Sequence, residues 1–375
     1  GAQGRSIEGF ADEAVFPGWD ENNDFISDFN QNSNFYRENR FPDYHEPFLR
    51  YNTDRPEFLF GVDLNNNGWV DRFENDDLPD FPYPRDHRGY NLYVKNQASP
   101  QLQFAFGRTR ARLISDKRKN DTWYGLTAYE GDFPVLGRLR VFDIIKKAQD
   151  NIQDNLVQWV QSPGLPGSHQ RIEDPLFAQD TWINTFWIGF DRQTNWGINF
   201  GHKLKLETLR QGDKAQALDF AENTRFLGII NKADYLRRFG RLRVRPKVKS
   251  EFLRDNTPYS MGGVRGERDQ WAGTALLVGD FPILNRTEIE AGVEQTFFAE
   301  LGADEGNLAR GEFTGDLRNT VVAVQLSNRG EYLGYRLTTQ LGFSLSRVSR
   351  ERVDMERDPQ TNSSVFMTVY ASLKD

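Results

Sequence analysis

The chain has 375 residues, 47 Lys+Arg against 54 Asp+Glu, a formal net charge of −7, no cysteine, 38% apolar residues and 13% aromatics. The acidic balance argues against nucleic acid as a partner, and the lack of cysteine excludes a disulfide framework and cysteine-ligated zinc. No apolar run approaches the ~18 residues a membrane helix needs, and no charged-then-apolar leader opens the sequence at Gly1-Ala2-Gln3-Gly4.

Composition divides the chain in two. Residues 1–98 are acidic, loop-like and rich in Asp, Asn, Pro and aromatics, with Phe10, Phe16, Trp19, Phe25, Phe29, Phe35, Tyr36 and Phe41 as material for a small core. Disordered segments are usually poor in aromatics, so this region is expected to fold. Its sharpest motif runs from Asp63 to Glu74. Asp63, Asn65, Asn67, Asp71 and Glu74 fall at loop positions 1, 3, 5, 9 and 12, Gly68 falls at position 6, and Trp69 offers its carbonyl. This matches the calcium loop of the EF-hand position by position, and Ca2+ is the expected cofactor. Pro56 upstream and Pro79, Pro82 and Pro84 downstream leave no room for the usual flanking helices. A weaker copy, Asp20 to Asp28, has Phe25 in place of the glycine.

Residues 99–375 read as strands. Twelve are expected, at about 102–114, 121–131, 134–144, 182–192, 195–209, 224–235, 239–254, 269–279, 283–299, 318–327, 331–349 and 363–373. Tight turns (131–134, 192–195, 238–240, 279–282, 327–330) alternate with longer polar connections (115–120, 145–181, 210–223, 255–268, 300–317, 350–362). Within one long connection, Ile145, Ala148, Ile152, Leu156 and Trp159 recur at helical spacing, which predicts an amphipathic helix over 142–160. A repeat joins the two halves: Asp121-Thr-Trp123 with Gly131-Asp-Phe133-Pro134 returns as Asp269-Gln-Trp271 with Gly279-Asp-Phe281-Pro282. Gly, Asp and Pro read as turn chemistry there. Trp123, Trp182, Trp187, Trp196 and Trp271 lie near strand ends.

The strand Arg241–Arg254 shows the pattern most clearly. Arg241, Arg243, Arg245, Lys247 and Lys249 share one face, while Leu242, Val244, Val248 and Phe252 share the other. Lys203, Lys205 and Glu207, and Glu288, Glu290 and Glu294, alternate with apolar residues in the same way. An apolar face backed by a charged face, with short and long connections alternating, resembles the outer-membrane β-barrels of bacteria over about Gln101–Asp375. It differs from many of them in ending Ala371-Ser-Leu-Lys-Asp375 rather than on an aromatic.

The expected fold is therefore all-β, an antiparallel membrane β-barrel of about twelve strands in residues 99–375, with a loop-rich, calcium-binding N-terminal region in residues 1–98. The resemblance implies a porin-like channel in the bacterial outer membrane, in contact with outer-membrane lipid. Arg241, Arg243, Arg245, Lys247 and Lys249 would line the pore and favour a small anionic solute or glycan. Assembly with other envelope proteins is a further expectation. The sequence shows no H-E-x-x-H, G-x-S-x-G or phosphate-loop motif, and no enzyme is expected. Two alternatives stand beside the channel: a calcium-dependent surface or periplasmic binding protein, and a soluble all-β enzyme acting on polysaccharide.

Overall fold

The computed structural model describes residues 48–52, 54, 56–71, 86–160, 168–172, 174, 178–216, 223–256, 268–302, 316–332, 335–352 and 355–373. The strands are β1 (His87–Gln97), β2 (Leu102–Leu113), β3 (Lys119–Phe133), β4 (Gly137–Asp150), β5 (Leu156–Val160), β6 (Ser168–Ile172), β7 (Gln179–Gln193) and β8 (Ile198–Gln211). They continue with β9 (Asn223–Tyr235), β10 (Arg237–Phe239), β11 (Leu242–Asp255), β12 (Arg268–Leu284), β13 (Thr287–Glu300), β14 (Asp316–Tyr332), β15 (Tyr335–Arg352) and β16 (Met355–Leu373). Helix is confined to two short pieces, α1 (Leu49–Asn52) and α2 (Asp213–Gln216), and a 3-10 turn at Pro56–Phe58.

Fourteen strands form one antiparallel sheet in the order β1-β2-β3-β4-β7-β8-β9-β11-β12-β13-β14-β15-β16, with β10 paired to β11 in the register set by β9. Strands β5 and β6 make a separate hairpin inside the β4–β7 connection. Among the described residues no pairing joins β1 to β16, so the sheet they form is not closed. Each of the twelve expected strands is present. The sheet also takes in β1, upstream of the residue-99 boundary that composition suggested.

The alternation of connections is real. One end of the sheet carries the tight turns 98–101, 134–136, 194–197, 240–241, 285–286 and 333–334. The other carries 114–118, 151–178, 212–222, 256–267 and 301–315. One expected long loop is not a loop: 350–362 falls within β15 and β16, where Glu351 faces Glu356 and Arg352 faces Met355 around a tight hairpin.

The helix expected over 142–160 is also absent. Residues 142–150 complete β4, and Leu156–Val160 form β5. Phe142, Ile144, Lys146, Ala148 and Asp150 are buried on the inner face, while Ile145 is exposed on the outer one. A strand with apolar residues on both faces loses its period of two, and the remaining spacing imitates a helix.

The inner face is the one that strand alternation buries. On β8 and β11 it is the odd positions, on β9, β12 and β13 the even ones. The described residues between 48 and 71 lie across that face as a strap. Phe48 and Tyr51 pack with Leu276, Val278 and Ala323 of β12 and β14, and Val62 and Leu64 pack with Ala105 and Leu126 of β2 and β3. The strap thus spans most of the sheet, and the core of the molecule sits between strap and wall.

Candidate functional site

The strap begins with charge. Inward positions on β8, β9 and β11 bring Lys203, Lys232 and Lys249 to one level of the wall, with Lys232 directly opposite Lys249 in register. Asp54 of the strap points into the group. Lys203 Nζ donates to Asp54 Oδ2 at 2.9 Å, while Lys232 Nζ and Lys249 Nζ lie 2.7 and 2.9 Å from Oδ1. Asp54 is 2% exposed. Burial works against its ionisation, but the three ammonium groups outweigh burial and hold the carboxyl well below the usual carboxylate range.

Further contacts fix the same half. Lys249 donates to the Arg50 carbonyl at 3.1 Å and pairs with Glu251 at 2.6 Å. The Tyr51 backbone N–H reaches Glu294 at 3.4 Å, and Lys247 places its ammonium 4.7 Å from the Tyr51 ring. Lys205 donates to the Glu57 carbonyl at 3.0 Å, and Arg268 bridges Glu57 and Asp255.

The second half is packed. Phe58 meets Phe226 edge-on at 5.9 Å, and Phe60 stacks on Trp187 with ring centroids 3.9 Å apart and lies 5.4 Å from Phe142. Trp187, read from sequence as a strand-end tryptophan, is instead 1% exposed and part of this core. Polar groups close the segment. Asn120 donates to the Leu64 carbonyl at 2.7 Å, and Asn66 donates to Thr122 and Asp150, each at 3.0 Å.

The expected calcium loop lies at this end, close to the long-loop rim. Its backbone turns through the left-handed region twice: Asn66 has φ 56° and Gly68 φ 87°, Gly68 N–H donates to Asp63 Oδ2 at 3.3 Å, and Trp69 N–H donates to Asn67 Oδ1 at 2.9 Å. Asp63 Oδ1 is buried with no hydrogen-bond partner. Burial, the largest influence, raises the Asp63 carboxyl above its usual range, while Lys146 opposes it from 3.2 Å. Asp71 Oδ1 accepts from Leu64 N–H at 2.9 Å. Glu74 and the weaker copy at Asp20–Asp28 lie outside the described residues. Among the described residues no group of three or more His, Asp or Glu side chains is placed to hold a metal ion. The loop offers two described carboxylates, Asp63 and Asp71, together with amide and carbonyl oxygens.

The cationic strip is divided by its neighbours. Arg241 sits in the turn before β11, its guanidinium 5.8 Å from the outward ring of Phe281, and so leaves the inner face. Arg243 faces inward and pairs with Glu288 at 3.1 Å and Asp280 at 3.7 Å. Arg245 is half-buried on the same face. Lys247 and Lys249 hold the strap. Sequence reasoning found the strip and missed its counter-charges, above all Asp54. The available signal was that mid-strand lysines at 203, 232 and 249 share a face and a level without enough carboxylates on their own strands.

No protein-family profile and no curated protein sequence matches the chain. Among solved structures it is similar to the outer membrane channel DcaP of Acinetobacter baumannii, at 10% identity and a TM-score of 0.36, over 75% of this chain and 84% of that one. It is also similar to a Pseudomonas aeruginosa FadL homologue, at 11% identity and a TM-score of 0.32, over 74% of this chain and 75% of that one.

Proposed function

We propose that the chain is a bacterial outer-membrane β-barrel channel for small, anionic solutes, its passage narrowed by the strap and its rim stiffened by calcium. What carries the reading is the outward face. Leu277, Val293 and Val322 stand opposite one another across β12, β13 and β14, and Val324, Phe343 and Val365 do so across β14, β15 and β16; all six are exposed. Soluble monomers rarely expose a continuous apolar belt of this kind. Its partner is taken to be outer-membrane lipid.

Aromatics flank the belt. Trp123, Trp182 and Trp271 are exposed at the long-loop ends of β3, β7 and β12, and Phe133, Phe200, Phe239, Phe281 and Tyr335 at the short-turn end. Arg108 lies 4.7 Å from the Trp123 ring and Lys147 5.4 Å from the Trp182 ring, the pairing of aromatic and snorkelling cation suited to a headgroup level. The internal repeat gives these girdles a common spacing. In both copies the tryptophan and the phenylalanine are ten residues apart on one face, Trp123 to Phe133 and Trp271 to Phe281. Ten residues at ~3.4 Å span ~34 Å along a strand, or about 24 Å at a tilt of ~45°, which suits an apolar band of ~25 Å. The turns follow this unit, at 134–136 and 285–286, instead of lying within it.

Inside, the wall is charged and hydrogen-bonded, as a solute path tolerates. Calcium would be held by Asp63, Asn65, Asn67, the Trp69 carbonyl, Asp71 and Glu74, where it would supply the positive charge that the buried, unbonded Asp63 Oδ1 calls for. The test is reconstitution of the full chain. Heat-modifiable gel migration and stepwise conductance in planar lipid bilayers are expected. A chain that stays folded and monodisperse without detergent and refuses to enter vesicles would overturn the reading.

A further inference from the structure

The wall around Asp54 brings three lysines to a single carboxylate of the strap. Lys232 and Lys249 are direct cross-strand partners, and Lys203, opposite Ile230, is their diagonal neighbour on β8. Like charges opposite one another weaken strand pairing. These lysines are also poorly hydrated, with side-chain exposures of 13%, 19% and 1% for Lys203, Lys232 and Lys249. Such a group is stable only with anions between its members. Among the described contacts, the Asp54 carboxylate is the anion that touches all three, and Glu251 of the wall pairs with Lys249. Elsewhere the strap is seated by single ion pairs, Glu57 with Arg268 and Asp63 with Lys146, and by the stack of Phe60 on Trp187.

The contacts have the form of a carboxylate receptor. One oxygen of Asp54 accepts a hydrogen bond from Lys203 at 2.9 Å, and the other has two ammonium groups beside it as ion pairs at 2.7 and 2.9 Å. The half of the strap that carries Asp54 is seated by Phe48 and Tyr51 in a small core cluster and by the contacts of Arg50, Tyr51 and Glu57, whereas Phe60, Val62 and Leu64 sit in a larger cluster, so the Asp54 half is the one assigned to lift.

We propose that Lys203, Lys232 and Lys249 form a binding site for the carboxylate of a permeating solute, and that Asp54 is a resident carboxylate which the solute replaces. The inference rests on the channel reading above. Exchange of one carboxylate for another leaves the number of buried charges unchanged. A neutral solute cannot make that exchange, because it would remove the one carboxylate that touches all three ammonium groups without replacing its charge. The strap is therefore a tethered competitor, and an anionic solute opens its own path.

Two measurements on the full chain in detergent test this, with succinate as the probe and succinamide as its neutral counterpart, at matched ionic strength. In the wild-type chain, trypsin cleavage after Arg50, read by mass spectrometry as a fragment beginning at Tyr51, should accelerate several-fold with succinate and not with succinamide. In Asp54→Asn the competitor is gone, so calorimetric titration should give succinate binding at least about tenfold tighter than wild type. Lys232→Gln should weaken succinate binding in either background. Equal wild-type cleavage with the two probes would overturn the proposal, as would an Asp54→Asn chain of unchanged gel migration that binds succinate no tighter. If Asp54→Asn does not fold, the wild-type cleavage comparison decides alone. Neither readout depends on conductance. Succinate effects without conductance would sink the channel and spare the site, while conductance without succinate effects would do the reverse.

Discussion

From Phe48 to Glu57 the strap meets the wall mainly through charge: Asp54 among three lysines, Glu57 on Arg268, and the Arg50 carbonyl on Lys249. From Phe58 to Leu64 it meets the wall mainly through rings and aliphatic side chains, with Phe60 between Trp187 and Phe142 at the centre and one ion pair, Asp63 with Lys146, near its end. The two halves lie on one sheet and are comparably buried, yet they differ in what can replace them. An ion pair can be exchanged for another ion from solution. A stacked ring has no competitor among small polar solutes. One strap thus joins an exchangeable latch to a permanent seat.

The largest effect should come from breaking the seat. Phe60→Ala removes the stack on Trp187 and leaves a cavity in the core cluster around it, with an expected cost of about 3–5 kcal/mol in denaturant unfolding of the reconstituted chain. If the cost is below about 1 kcal/mol, the ring is not the anchor described here.

Next in size is the latch. Removing one partner of a buried ion pair costs up to about 3–5 kcal/mol when the remaining charge stays buried. Here the half can lift and admit water to the lysines, so Asp54→Asn should shift global unfolding by less than Phe60→Ala. The variant should expose the bond after Arg50 to trypsin while leaving Phe58–Leu64 protected. Loss of protection along the whole strap would mean that the halves do not act separately.

Calcium should act more locally. Chelation is expected to increase proteolysis within residues 1–98 and to leave the strands after Gln101 intact, with Glu74→Ala producing the same pattern without a chelator. Identical digests with and without calcium, or no binding heat below millimolar calcium, would make the loop an ordinary Asx-rich turn.

The smallest effect is that of pH on the latch. The folded Asp54 carboxyl lies well below its unfolded value. Its stabilisation is therefore fully present above the unfolded carboxylate value of ~3.9 and is lost only as pH falls through the lower folded value. Between pH 7 and 5 the difference in urea unfolding stability between the wild-type chain and Asp54→Asn should therefore stay constant, and it should shrink only in stronger acid. A difference that shrinks between pH 7 and 5 would contradict the three-lysine account.

The wall was largely legible in the sequence because a strand states its two faces directly. Arg243 and Lys249 share a face opposed to Val244 and Val248, and the structure keeps them there. Legibility failed where a face was not uniform. β4 carries apolar residues on both sides and so imitated a helix, and Trp187 was taken for a strand-end residue because its partner, Phe60, lies 127 positions earlier. The repeated Gly-Asp-Phe-Pro segment resembled a turn because its residue types favour turns, although the chain turns only after it. The strap was hidden for a further reason. Asp54 stands in an acidic stretch where one carboxylate looks like any other, and only the convergence of strands β8, β9 and β11 gives it a role.

The central claim is that the outward belt faces lipid while the strap-covered face does not. The chain has no cysteine, so single cysteines can be placed and labelled without background. Leu277→Cys on the outer face of β12 and Thr274→Cys on its inner face, each carrying an environment-sensitive fluorophore in reconstituted vesicles, give the direct comparison. With lipids brominated at mid-chain, the label at position 277 should be strongly quenched and the label at 274 should not. Equal quenching at the two positions, or quenching of neither with 277 open to a water-soluble quencher, would contradict the membrane-barrel account.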